Sequence, residues 1–279
     1  MRRGAVLLSL VVLASCAAPI GDGTSVSLGI PARGLLHKGA ALPERSEGLY
    51  QPPTWRSRGN YYGTEELVGA IVRAARRVRE HHPDAVLYLG DLSPRGGGAS
   101  HEHRSHQNGR DADLIFYART PEGALAAPPQ TMPRYRDDGT LRPPARRSKE
   151  PQPTARRFDP ALTWALVEAL LTDPEAEVQW LFISSGLRAQ VLAAARRAAA
   201  DPALIEEAEV VLSQPGDSLP HDDHLHLRIF CPGADRALGC TDFGPVRWLK
   251  KHLKGLDLPR PPSEPVSQLI AQATPTPIF

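Results

Sequence analysis

Cysteine is scarce: the chain of 279 residues holds three, at positions 16, 231 and 240. None of them forms a CxxC pair, which argues against a structural zinc knuckle. Neither sign of charge is in excess. The 33 basic and 31 acidic residues leave a formal charge of +2, and the two arginines of that excess both lie in the first fifteen residues. The remainder is formally neutral, so no whole-molecule field points to nucleic acid as a partner. HExxH, the helical motif that supplies two zinc ligands and a general base, is absent. Internal repeats are absent as well. The apolar stretch from Ala5 to Ala14, interrupted by Ser9, is too short to cross a bilayer as a permanent helix.

That stretch follows Arg2 and Arg3, and so reads as the h-region of a signal peptide. It ends in Leu13-Ala14-Ser15-Cys16, which resembles the lipobox of bacterial lipoproteins, whose cysteine is diacylated and becomes the mature N-terminus. The resemblance implies a signal peptide over 1–15, a lipid anchor through Cys16 and a periplasmic, membrane-anchored protein. Ala17 rather than Asp after the cysteine favours the outer membrane, by analogy with enterobacterial sorting. In an oxidising compartment the close pair Cys231 and Cys240 is expected as a disulfide.

Composition divides the rest. Residues 16–46, rich in Gly, Pro and Ser, read as a flexible tether, 47–257 as one folded domain, and 258–279 as a Pro-rich tail. Within the domain, Thr64 is placed to cap a helix whose apolar residues recur from Leu67 to Val78. Ala85 to Gly90 reads as a short buried strand. Asp159-Pro160 opens a second helix as N-cap and N1. Val178 to Ile183 is a strand, 187–198 a third helix, a shorter helix follows Pro202, and 224–230 is the last strand. The segment 120–157, with its prolines and arginines, reads as a long surface loop carrying a hairpin near Asp138-Gly139. The class is α+β, with helices packed around a small, mainly antiparallel sheet.

Six of the ten histidines fall in two windows. The first is His101-Glu102-His103-Arg104-Ser105-His106, followed by Asp111-Ala112-Asp113. The second is His221-Asp222-Asp223-His224-Leu225-His226. Alternation along the last strand puts His224, His226 and Arg228 on one face, and Leu225, Leu227 and Ile229 on the other. Asp113 precedes the apolar run Leu114 to Tyr117, so it belongs at the start of a strand, with His106 in the loop before it. One imidazole and one carboxylate from the first window, with one imidazole from the second, make a three-ligand metal site with an open position. An imidazole-rich set favours zinc over magnesium or calcium. Asp222 and Asp223 read as solvated loop charges.

The run Tyr88-Leu89-Gly90-Asp91-Leu92-Ser93, the glycines 96–98, His103-x-Ser105-His106-Gln107-x-Gly109-x-Asp111-x-Asp113 and His221-x-x-His224-x-His226-x-Arg228-x-x-Cys231-Pro232 together resemble the penicillin-insensitive murein endopeptidases. That family is grouped with lysostaphin-type peptidases, zinc D-alanyl-D-alanine carboxypeptidases and hedgehog domains, and a hedgehog-like fold is implied. The resemblance implies His106, Asp113 and His226 as Zn2+ ligands, His224 as the catalytic histidine, and His103 and His221 as further active-site histidines. It matches Cys231 to a half-cystine, and it implies peptidoglycan stem peptides as substrate, cut at the D-alanyl–meso-diaminopimelate cross-link. Two other readings stay open: a zinc D,D-carboxypeptidase on stem peptides, and a wall-binding lipoprotein that holds zinc without chemistry. Asp111 is a candidate to hold a histidine in its working tautomer.

Overall fold

The structure is a computed structural model that describes residues 20–143, 154–216 and 218–242. The expected signal peptide, Cys16 and the expected Pro-rich tail lie outside the described residues. In chain order the elements are β1 (Val26–Ile30), β2 (Arg33–His37), β3 (Ala40–Ala41), β4 (Arg45–Ser46), β5 (Leu49–Tyr50), α1 (Pro53–Arg56), β6 (Tyr62–Gly63) and α2 (Glu65–His81). There follow β7 (Leu87–Leu89), β8 (Asp111–Ile115), β9 (Ala118–Arg119), β10 (Arg157–Phe158) and α3 (Pro160–Leu171). The last are β11 (Val178–Phe182), α4 (Ser185–Arg197), α5 (Pro202–Val211), β12 (Leu212–Ser213), β13 (His224–Ile229) and α6 (Gly233–Ala237).

Local chemistry starts and stops the long helices as expected. The Thr64 hydroxyl accepts from the Leu67 amide, and Glu65 and Glu66 occupy the positive first turn of α2. Asp159 accepts from the amides of Ala161 and Leu162, with Pro160 at N1 of α3. Leu67, Val68 and Ile71 of α2 are fully buried with Leu162, Val167 and Leu187 in one core. Burial of each such side chain stabilises the fold by about 1.5–3 kcal/mol.

Those helices cover one face of a sheet of seven strands among the described residues, in the order β12-β11-β13-β8-β7-β5-β4. Its central pairings β11–β13, β13–β8 and β8–β7 are antiparallel, while β11–β12 and β5–β7 are parallel. The α+β class therefore holds. Leu87, Leu89, Ala112, Leu114, Leu225, Leu227 and Ile229 fill the helix side. The residues between them, Asp111, Asp113, His224, His226 and Arg228, share the opposite face.

The tether expected over 16–46 needs correction. From Val26 the chain is folded: β1 and β2 form a hairpin about the two-residue turn Pro31-Ala32, and β4 is an edge strand of the main sheet. Composition misled because the hairpin is held by backbone bonds rather than by an apolar stripe. Gly98 donates to the Gly34 carbonyl, Gln107 to Pro31, and Gly29 to Gly239. The hairpin thus clamps both the loop that carries His106 and the Cys231–Cys240 disulfide loop. The segment 120–157, described at 120–143 and 154–157, does carry the expected hairpin, with Tyr135 bridged to Leu141. It is not merely a surface loop, however, since Tyr135 is buried against Phe116 and Phe158.

Candidate metal centre and its surroundings

Two adjacent strands assemble the site. In the antiparallel register of β8 and β13, His226 stands opposite Asp113, and Arg228 opposite Asp111. Side chains directly across a strand pair are near neighbours, so D-x-D on one strand faces H-x-H-x-R on the next. His106 comes from the loop before β8. Its backbone has φ 64°, a left-handed conformation uncommon for a side chain of this size. The amide of His106 donates to Asp111 Oδ2 at 3.1 Å, which helps hold that conformation.

The structure brings His106, Asp113 and His226 together. His106 Nε2 and His226 Nδ1 lie 3.3 and 3.2 Å from Asp113 Oδ1, and the two imidazole rings are 4.8 Å apart. Ligand atoms about 2.0–2.1 Å from a tetrahedral zinc lie roughly 3.3 Å from one another, and the two distances to Asp113 match that spacing. The second test is hydrogen bonding. Both ring nitrogens of His106, both oxygens of Asp113 and Nε2 of His226 are buried without a hydrogen-bond partner. An unsatisfied buried polar atom costs about 1–3 kcal/mol, and one cation would answer several of them together. Ligand-type atoms converge within 4.8 Å in three overlapping groups: His103, His106 and Asp113; His106, Asp111 and His226; and His221, His224 and His226. The trio implied by the sequence is shared among these groups rather than coinciding with one.

The remaining histidines surround this centre. His224 has Nδ1 2.6 Å from Asp223 Oδ1, and Nε2 3.3 Å from Asp113 Oδ1. Burial disfavours its charged form, yet Asp113 and Asp223 raise its pKa well above the usual histidine value. Asp113 is likewise held well below the usual carboxylate range, against its burial, by His224 and His106. His221 is pulled down to about 3 by burial and by the imidazoles of His224 and His226. Its amide donates to Gln214 Oε1 and its carbonyl accepts from Ser184. His103 is fixed from behind, its Nε2 2.9 Å from Asp91 Oδ2 and its ring 4.3 Å from that of His106.

Asp111 does more than orient one histidine. It takes both Nε and Nη2 of Arg228, at 2.7 and 2.8 Å, besides the His106 amide, and lies 3.5 Å from His226 Nε2. Asp222 and Asp223 are not solvated charges. Asp222 is 3% exposed and receives Arg134 through two bonds of 2.8 and 3.1 Å, while its carbonyl accepts from the Tyr135 amide. The Pro/Arg segment is thereby docked beside His221. Reading two adjacent acids as loop charge missed this, because the arginine partner lies 88 positions away.

Other contributors also escaped the sequence. Asp91 is fully buried and pairs with Arg58 at 2.7 Å as well as with His103; it stood in the quoted Gly90-Asp91-Leu92-Ser93 run without a role. Phe182 sits opposite His226 on β11, its ring 5.3 Å from His226 and 5.6 Å from His221. Alternation along β11 was the available signal. Gly90 packs so closely that a Cβ there would lie 2.4 Å from Met132 Cε and 3.0 Å from Asp113 Cβ.

Comparison with known proteins places the chain in a family. The sequence model of a family described as penicillin-insensitive murein endopeptidase matches residues 27–247. Two curated penicillin-insensitive murein endopeptidases, from Klebsiella pneumoniae strains MGH 78578 and 342, are each 26% identical over 230 residues, which covers 81% of this chain and 73% of theirs.

Proposed function

Because the chain belongs to the penicillin-insensitive murein endopeptidase family, we propose that it is a zinc-dependent peptidase of the periplasm that cuts the D-alanyl–meso-diaminopimelate cross-link of peptidoglycan. The observation that carries the reading is the knot of buried, unpartnered ligand atoms on His106, Asp113 and His226. Two imidazoles and one carboxylate suit zinc better than magnesium or calcium, and leave a fourth position open. Zinc held there supplies Lewis-acid polarisation of the scissile carbonyl and acidification of water to a pKa of about 7.

The chain's own groups do the rest. His224, steadied by Asp223, takes a proton from the attacking water or, as imidazolium, offsets charge growing on the carbonyl oxygen. His221, held neutral and with its ring 5.3 Å from that of His224, supplies a further hydrogen bond, and His103, braced by Asp91, a further hydrogen bond or a proton for the leaving amine. Asp111 keeps the His106 loop and Arg228 in place. Attachment would be through lipid on Cys16, with the outer membrane favoured; no helix among the described residues is long and apolar enough to cross a membrane.

Digestion of purified sacculi with and without a chelator tests the reading. Conversion of muropeptide dimers to monomers marks an endopeptidase, pentapeptides trimmed to tetrapeptides a carboxypeptidase, and no product a binding protein. His226→Ala or Asp113→Ala should lose zinc and activity together, whereas His224→Ala should keep zinc and lose turnover. Full activity in His224→Ala would remove the catalytic assignment.

A further inference from the structure

The arginines beside the histidines are of two kinds. Arg228 and Arg134 each place their Nε–Nη2 edge on both oxygens of one carboxylate, Asp111 and Asp222 respectively. Those pairs are closed. Arg58 instead meets Asp91 through Nη1 alone, 2.7 Å from Oδ2. Its Nε and Nη2 have no partner among the described residues, and Oδ1 of Asp91 is buried without a hydrogen-bond partner. The side chain of Arg58 is 37% exposed, whereas that of Asp91 is fully buried. The edge left over is the one that grips a carboxylate through two parallel hydrogen bonds.

This open edge lies next to the reacting centre. Asp91 Oδ2 is also 2.9 Å from Nε2 of His103, so one oxygen holds the guanidinium and the imidazole side by side. His103 Nε2 is in turn 3.9 Å from Asp113 Oδ2. Three successive contacts thus lead from Arg58 to a candidate metal ligand, none longer than 3.9 Å. The backbone fixes Arg58 in this place. Its amide donates to the carbonyl of the buried Trp55, and two residues further on the Asn60 carbonyl accepts from Leu92, the neighbour of Asp91.

We infer that the open edge of Arg58 binds the carboxylate carried by the residue on the amine side of the scissile bond, and so selects substrates whose leaving amine is α to a free carboxylate. This rests on the peptidase reading above and names a substrate group that reading leaves without a partner. In the D-alanyl–meso-diaminopimelate link, the nitrogen released sits on a carbon that also bears a carboxylate. The carboxylate carbon is about 2.5 Å from that nitrogen, by standard N–Cα–C geometry. A proton donor for the nitrogen and a clamp for the carboxylate therefore belong side by side, as His103 and Arg58 stand on Asp91. An amidated carboxyl would present no anion to the guanidinium. Holding the carboxylate also fixes the position of the bond to be cut.

Arg58→Gln, with Arg58→Lys beside it, tests this on two muropeptide dimers that differ only in whether that diaminopimelate carboxylate is free or amidated. The parent should cut the free acid with a KM about tenfold or more below that of the amide, since a charge-assisted bidentate contact is at stake. Arg58→Gln should raise KM for the free acid to the level of the amide at constant zinc content, and Arg58→Lys should recover part of the difference. The same contrast is read without turnover by titrating the monomeric stem product, free or amidated, calorimetrically into parent and variant. Equal KM for the two dimers in a parent that cuts them overturns the inference and leaves the peptidase reading intact. So does a preference for the free acid that survives in Arg58→Gln, which would reduce Arg58 to the counter-ion of Asp91. A parent that cuts neither dimer yet binds the free stem through Arg58 keeps the carboxylate site and removes the peptidase; one that neither cuts nor prefers the free stem removes both. The comparison within the parent needs no variant, so it decides the matter even if Arg58→Gln fails to fold.

Discussion

Asp111→Asn tests the logic of the site most directly. The residue is fully buried, and its carboxylate answers three donors: Nε and Nη2 of Arg228, and the amide of the strained His106. Asparagine keeps the shape and one acceptor, but withdraws the charge from a guanidinium whose side chain is only 14% exposed. Removing one partner of a buried pair costs about 3–5 kcal/mol. The retained acceptor and the residual solvent at Arg228 place the expected loss near ~3 kcal/mol. Zinc affinity should also fall about 10–100-fold, as it does when an outer carboxylate is lost from a metal site. Urea unfolding of the metal-free protein reads the first effect, and competition with a chromophoric chelator the second. Adding Arg228→Met should restore most of the stability, since the stranded charge has gone, yet leave zinc binding weak. If Asp111→Asn unfolds within about 0.5 kcal/mol of the parent, or the double variant is no more stable than the single one, the account of Asp111 as a hub is wrong.

Two further outcomes follow from groups outside the metal ligands. Asp222→Ala should free the Arg134 segment from the His221 turn, lowering kcat about tenfold or more by misplacement; zinc content should hold while proteolysis within 120–157 quickens, and an unchanged kcat would sever that segment from catalysis. Asp235 is raised to about 6 by burial, partly offset by the Ser27 amide it accepts. Its folded pKa lies above the unfolded value, so stability falls as pH rises from about 4 to 6, by ~2 kcal/mol. Asp235→Asn should flatten that slope and make the protein more stable at pH 7; urea midpoints across this range that match the parent would contradict it.

Much of the fold was legible because its signals are local. Thr64, Asp159 and Pro160 mark helix starts through hydrogen bonds made within one turn, and the helix and strand periods of α2 and β13 are visible in a single window. The two histidine windows were legible for a related reason. Metal chemistry needs rare side chains, and alternation on β13 separates His224, His226 and Arg228 from the leucines without reference to any other strand. The hairpin at residues 26–37 escaped because main-chain bonds hold it, and these leave little trace in composition.

By itself, then, the sequence determined which residues could ligate a metal and which face of each element they occupy, since both depend on residue type and on a repeat of two or 3.6 residues. Only the tertiary structure decided what those residues meet. That Asp113 faces His226 and that Asp222 is claimed by Arg134 are consequences of strand register and loop docking. Pairings across 88 positions or more depend on how the whole core packs, and no short window of sequence contains that.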